Sequence, residues 1–397
     1  MKSDTVARLR ADRVWLTADA CDLDDFIAAT ARTTVLDDYP LASAVERNVL
    51  VYDGDAVRRV AGEPEGRRAL LAEWAEAMLA GPGIVVCKNA FADKGPVDAA
   101  TRLFQAMIAE QHRTNTGGGD HFAKPGANDR VWNGLEKLCL ADPAAFARYY
   151  SNDIIALVSE AWLGTGYQIT SQLNVVNPGG QAQSAHRDYH TGFETADEIA
   201  RFPLHAHCLS PVLTLQGAVA HCDMPVESGP TLYLPYSQAF VPGYFAWRKP
   251  EFKAHFEANH VQLPMRTGDA VFFNPALFHA AGSNRTKDVR RMANLLQVSS
   301  AYGRAMESMD RARMSAALYP ALRSLVASGE IGPGAVANVI AACAEGYAFP
   351  TNLDRDPPIG GLAPQTQAQL MTKALADGLE PAAFNAALEQ HSWRRLT

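Results

Sequence analysis

The stretch from Gly166 to Ala301 is what most limits the folds open to this chain. Five short β-type runs, YQITSQLNVV, VLTLQGAVAH, TLYLPY, DAVFFNP and ANLLQVSS, are separated by Pro- and Gly-containing turns with no helical periodicity between them. Strands of that length in that succession predict an all-β sandwich or jelly roll at the core.

Helical signals flank this region. Residues 1–65 carry many Asp and Arg with little apolar periodicity and read as an irregular N-terminal arm. From Gly66 to Leu79, Leu70, Trp74 and Met78 recur at helical spacing. Gly81-Pro82-Gly83 ends that helix, and Ile84-Val85-Val86-Cys87 reads as a buried strand. A second helix is predicted from Pro96 to about His112. A third starts with Asp142 as N-cap and Pro143 in the first turn and runs to Trp162. The intervening GGGDHFAKPGANDRVWN reads as a long loop. Residues 305–397 return to helix and are expected to form an extension packed on the core or on a second subunit, so a homodimer is an open expectation. The domain organisation expected is arm 1–65, a principal domain 66–304 and this extension.

Composition excludes several function classes. With 48% hydrophobic residues the 397-residue chain can bury a large core. A net charge of -7, with no block of Lys and Arg, argues against a grip on nucleic acid. No apolar stretch approaches the length of a membrane span, so a soluble, cytoplasmic protein without a membrane partner is expected. Six scattered cysteines without a C-x-x-C pair read as reduced thiols, not as a zinc site.

The chemistry is carried by His186-Arg187-Asp188, directly after the Pro178-Gly179-Gly180 turn. On extended backbone, residues i and i+2 face the same way, so one imidazole and one carboxylate can converge on a metal. H-x-D alone is weak, since His221-Cys222-Asp223 repeats it. A third ligand is available in His279, at the end of GDAVFFNPALFH. Two His and one carboxylate leave three positions open, as non-haem iron(II) oxygenases require. A 2-oxo diacid in those positions needs a cation for its distal carboxylate. Arg290 follows His279 by eleven residues; Arg291 competes, and because neighbours on a strand face opposite sides only one can point inward. Arg290 is the expected one.

In their order, GIVVCKNAF, NPGGQAQSAHRDYH, HCDMPVESGPTLYLPYSQ and FFNPALFHAAGSNRTKDVRR resemble the phytanoyl-CoA dioxygenase-like branch of the iron(II) and 2-oxoglutarate oxygenases, over roughly Gly66 to Ala301. The resemblance implies a double-stranded β-helix (jelly roll, cupin-like) with flanking α-helices. It implies iron(II), 2-oxoglutarate as cosubstrate and O2, and the metal ligands His186, Asp188 and His279. It places His221-Cys222-Asp223 away from the metal. Asp at 188 fits a hydroxylase, since halogenating relatives carry a small residue there. One departure stands out: Pro235-Tyr236-Ser237-Gln238 replaces the family's common Pro-Gly-Ser-His turn.

Around the metal, Gln172 and Asn174 share a strand face and Thr231 follows Gly229-Pro230, so these three are candidates for contact with the cosubstrate. Tyr189, His190, Trp132, Lys124 and His121 are candidates for the substrate, a small molecule hydroxylated at an unactivated C–H. For each, a structural hydrogen bond or core packing is the competing role. His205, His207 and His260 are read as structural. The rival functions are a cupin-like isomerase or hydrolase that uses no 2-oxo acid, which an Arg after the last His disfavours, and a binding module with a decayed site, which a complete ligand set disfavours.

Overall fold

A computed structural model describes residue 11 and residues 14–116 and 126–397, and in it all five runs contain strands. In chain order these are β1 (Ala44–Glu46), β2 (Val49–Asp53), β3 (Ile84–Lys88), β4 (Asn128–Val131), β5 (Gln168–Val176), β6 (Thr214–Ala220), β7 (Leu232–Leu234), β8 (Ala270–Phe273), β9 (Phe278–Ala280) and β10 (Arg291–Ser299). Eight hydrogen-bond into one sheet in the order β1-β2-β3-β8-β6-β10-β5-β4, and β7 pairs with β9 in another. Single bridges extend the small sheet on both sides, from Tyr233 to Val261 and from His279 to His186. The two sheets are those of a jelly roll within an α+β chain.

Burial explains the strand sequences. In β3, Ile84 and Val86 face the space between the sheets and Val85 and Cys87 the opposite side, so all four are buried and the run is continuously apolar. Val271 and Phe273 of β8 join Ile84 and Val86 in the same core, with Tyr233 of β7 on the far side. Short helices at Leu204–Val212 and Pro250–Asn259 interrupt the connections between strands, which the sequence pattern does not show.

The described residues divide into two compact units. One holds those up to 92, 126–129 and 174–295; the other holds 93–116, 130–173 and 296–397. In the first unit, the segment expected to be an irregular arm is ordered instead. Asp22 caps the helix Leu23–Thr30, and Phe26 of that helix packs edge-on or tilted against Phe240, Phe252 and Phe278, covering the outer face of the small sheet. The low apolar content of the arm concealed this, because one aromatic anchors it. β1 and β2 then add to the large sheet.

The second unit is helical. Arg311–Ala327 packs against Gly134–Ala141, Pro143–Tyr150 and Pro381–Arg395. Its buried stripe is Met314, Leu318, Leu322 and Leu325, and Tyr319 stacks on Phe384 at 4.0 Å. The C-terminal helices thus complete a bundle whose other members precede β5. The helix predicted from Pro143 to Trp162 is two, Pro143–Tyr150 and Asp153–Leu163, because the Asn152 side chain accepts from Ile155 N–H and starts the second. Among the described residues no helix is long and apolar enough to cross a membrane.

Candidate metal centre and its adjoining cavity

His186 and His279 are brought together by backbone. Each N–H donates to the other's carbonyl, at 3.0 and 3.2 Å, and the Asp188 N–H donates to Pro275 O. The rings lie 4.5 Å apart. Asp188 Oδ1 is 3.6 Å from His186 Nε2 and Oδ2 is 3.3 Å from His279 Nε2. The three donor atoms all lie within 4.8 Å of one another.

Both imidazoles are held in one tautomer. The Nδ1 of His186 lies 2.9 Å from Ser184 O and that of His279 lies 2.9 Å from Leu277 O. A carbonyl only accepts, so each Nδ1 carries the hydrogen and each Nε2 lone pair is free for a metal. Burial pushes the His186 pKa down, keeping the ring neutral as ligation requires. For Asp188, burial works to raise the pKa, but the two imidazoles beside it and the hydrogen bond from Gln216 outweigh it and hold the carboxyl well below its usual range. Two imidazoles that turn Nε2 toward an ionised carboxylate suit a divalent metal.

Arg187, between the ligands, points the other way. Its guanidinium is 2% exposed, donates to Ser237 O at 2.5 Å and Phe240 O at 2.8 Å, and lies 5.2 Å from the ring centres of both Tyr244 and Phe278. No carboxylate faces it among the described residues, and burial pulls its pKa down to about 10. It ties the H-x-D turn to the Ser237–Tyr244 segment.

A cavity of about 40 Å³ is lined by residues of both sheets, among them Val86, Ala218, Ala220, Thr231, Tyr233 and Arg291. Tyr233 stands directly opposite His279 in the β7–β9 pair, so the two side chains share the inner face. Along β6, Gln216 is two residues before Ala218 on the same face, and its Nε2 donates to Asp188 Oδ2 at 2.5 Å.

The arginine orientation is the reverse of the one expected. Arg291, 6% exposed, turns into the cavity, where its guanidinium donates to Gly229 O and, at 3.4 Å, to Asn174 Oδ1. The Arg290 side chain is 52% exposed and pairs with Asp129 at 3.1 Å and Asn177 at 3.1 Å. The Asn284 amide and the Thr286 hydroxyl close a local turn with Val289. The face of β10 is set by where the strand leaves this turn, and a shift of one residue exchanges the faces of neighbours.

The remaining candidates scatter. Thr231 lines the cavity, and Asn174 reaches it through Arg291. Gln172 belongs to the helical unit, where it accepts from Arg130 at 3.0 Å; Trp132 lies in the same unit under the Arg130 guanidinium. Tyr189 is buried, and both it and His190 have positive φ (68° and 40°) immediately after the H-x-D turn. His190 Nδ1 is 3.0 Å from Ser210 Oγ. His121 and Lys124 lie outside the described residues. Asp223 accepts from Thr267, so His221-Cys222-Asp223 has a structural part in the fold. His207 hydrogen-bonds Ile199 O and Phe202 O. Sequence reasoning missed Tyr233, Gln216 and Arg187; the period-two alternation of Thr231 with Tyr233, and of Gln216 with Ala218, was the available signal.

The sequence matches the family described as phytanoyl-CoA dioxygenase (PhyH) over residues 65–292, more than half of the chain. It is 26% identical over 246 residues to Dioxygenase trt7 of Aspergillus terreus (strain NIH 2624 / FGSC A1156), covering 60% of this chain and 74% of that protein. Among solved structures it is similar to the non-heme alpha ketoglutarate dependent carbocyclase SnoK from nogalamycin biosynthesis (18% identity, TM-score 0.44, 61% of this chain and 89% of that one). It is also similar to HygX from Streptomyces hygroscopicus, solved with nickel and 2-oxoglutarate (14%, 0.39, 59% and 90%). At such identity and TM-score the two structural likenesses bear neither on chemistry nor on substrate.

Proposed function

Because this chain belongs to the phytanoyl-CoA dioxygenase family, we propose that it is an iron(II)- and 2-oxoglutarate-dependent dioxygenase that hydroxylates a small molecule at an unactivated C–H bond. The observation that carries this reading is the convergence of the His186, Asp188 and His279 donor atoms on the same inner face as a cavity containing a buried arginine. A metal site alone would equally suit a hydrolase or isomerase. A buried guanidinium beside it favours a cosubstrate with a carboxylate to spare.

His186 Nε2, Asp188 and His279 Nε2 would hold the metal, a two-histidine, one-carboxylate set that suits iron(II) and leaves it room for a cosubstrate. Arg291 binds the distal carboxylate of 2-oxoglutarate, with the Tyr233 and Thr231 hydroxyls beside it. Gly229 O and Asn174 Oδ1 fix the guanidinium in advance, so little side-chain freedom is lost on binding. Val86, Ala218, Ala220, Leu263 and Met265 give the cavity apolar walls that exclude water and strengthen the charge pairing. Once bound, iron(II) with 2-oxoglutarate supplies dioxygen activation, and the expected by-products are succinate and carbon dioxide. The chain's part is ligation, orientation and dryness.

The test is anaerobic addition of iron(II) and 2-oxoglutarate to apoprotein, watching for the visible metal-to-ligand charge-transfer band. Wild type should develop it and His279→Ala should not. Metal uptake without the band would favour the hydrolase or isomerase reading; no metal uptake would refute both.

A further inference from the structure

We propose that Gln216 is a positioning residue of the metal centre that reserves one oxygen of Asp188 and so makes this carboxylate a one-oxygen ligand. The inference rests on the metal-site reading above.

Gln216 lies on β6 opposite Phe273 of β8, with its side chain on the inner face and only 5% exposed. Its Nε2 donates to Asp188 Oδ2 at 2.5 Å. Its Oε1 is buried and has no hydrogen-bond partner among the described residues. An ionised carboxylate only accepts, so the NH2 end of the amide must face Asp188 and the carbonyl end must take the other position. Asp188 thus orients the Gln216 side-chain amide, which has no other hydrogen-bond partner among the described residues.

The consequence concerns coordination number. Asp188 has two oxygens close to the imidazole Nε2 atoms, Oδ1 toward His186 and Oδ2 toward His279. A carboxylate free to rotate can chelate with both. With Oδ2 engaged by Gln216, Oδ1 is the oxygen offered to the metal, and three positions remain for a chelating 2-oxo acid and dioxygen. Were both oxygens to coordinate, one of those positions would be lost.

The experiment compares Gln216→Leu, close in size and without donor or acceptor, with wild type in the full-length protein. Iron(II) is loaded anaerobically and 2-oxoglutarate titrated while the charge-transfer band is recorded, and apoprotein melting is followed in parallel. The expected result is a shifted band and about a tenfold higher 2-oxoglutarate concentration at half-saturation, with apoprotein melting little changed; outer-shell losses of this kind cost on that order. If Gln216→Leu does not fold, Gln216→Asn, one methylene too short to reach Oδ2, carries the same comparison. A band and half-saturation identical to wild type would overturn the proposal. Absence of the band in wild type would instead overturn the functional reading on which it rests.

Discussion

The guanidinium of Arg187 fills the space that a side chain at position 243 would need: a Cβ built on Gly243 overlaps its central carbon. The backbone at Gly243 is of ordinary sign, so the requirement for glycine is steric. Gly243→Ala should cost about 2 kcal/mol, typical of overpacking a filled interior. Arg187→Met should also destabilise, because Ser237 O and Phe240 O lose their donor. The double variant should be more stable than the sum of the two predicts, since the shorter side chain vacates the contested volume. Urea unfolding of the four proteins checks this; strict additivity would show that the two residues do not compete.

Arg291 and Arg290 should behave oppositely despite being adjacent. Arg291→Ala removes a buried partner of a carboxylate and should raise the 2-oxoglutarate concentration at half-saturation about 100-fold, near 3 kcal/mol. Arg290→Ala removes a half-exposed pair with Asp129 and should change it less than about twofold. Titrations of the two variants by succinate release or by the charge-transfer band decide between them.

Iron(II) should stabilise the fold through the three ligands. At about 100 times the dissociation constant, binding adds about 2.7 kcal/mol and raises the melting temperature. A chelator should reverse the shift in wild type. His279→Ala and Asp188→Ala should show no comparable shift at the same iron concentration.

His221 gives the fold a pH dependence of its own. Burial pushes its pKa down to about 3 from the ordinary 6.5. The unfolded chain therefore takes up a proton near pH 6.5 while the folded chain does not, and stability is full above that pH and falls as pH drops toward 3. The slope is about 1.4 kcal/mol per pH unit, or about 2 kcal/mol between pH 6.5 and 5. His221→Leu should flatten this part of the curve in denaturant midpoints measured from pH 7 to 5. An unchanged slope would place the dependence on other groups.

The sequence made the strands legible because a core buried on both faces of β3 and β8 demands continuous apolar runs. The three metal-ligand candidates were legible because period two forces His186 and Asp188 to one side. Orientation after a turn was not: the path from Asn284 to Val289 decides which arginine enters the cavity, and side-chain hydrogen bonds shape that path. Tyr236 shows the same limit. It stands at φ 67°, where the related turn has glycine, and its strain is offset by contacts distant in sequence. Thr34 Oγ1 lies 2.8 Å from its hydroxyl, and Arg32 lies 4.4 Å from its ring centre. Those partners come from the segment that reads as an irregular arm, so neither feature explains itself without the other.

The carbonyls of Ser184 and Leu277 have a consequence for which metal the protein carries. They set both imidazole tautomers before any ion arrives, so capture needs little rearrangement and the pocket presents the same two nitrogens and carboxylate to every divalent first-row ion. Donors of this kind follow the general affinity order, in which cobalt, nickel and copper outrank iron(II). Selection therefore falls to supply: protein isolated aerobically should carry a mixture reflecting the medium, and its iron content should track the iron supplied more closely than the shape of the site.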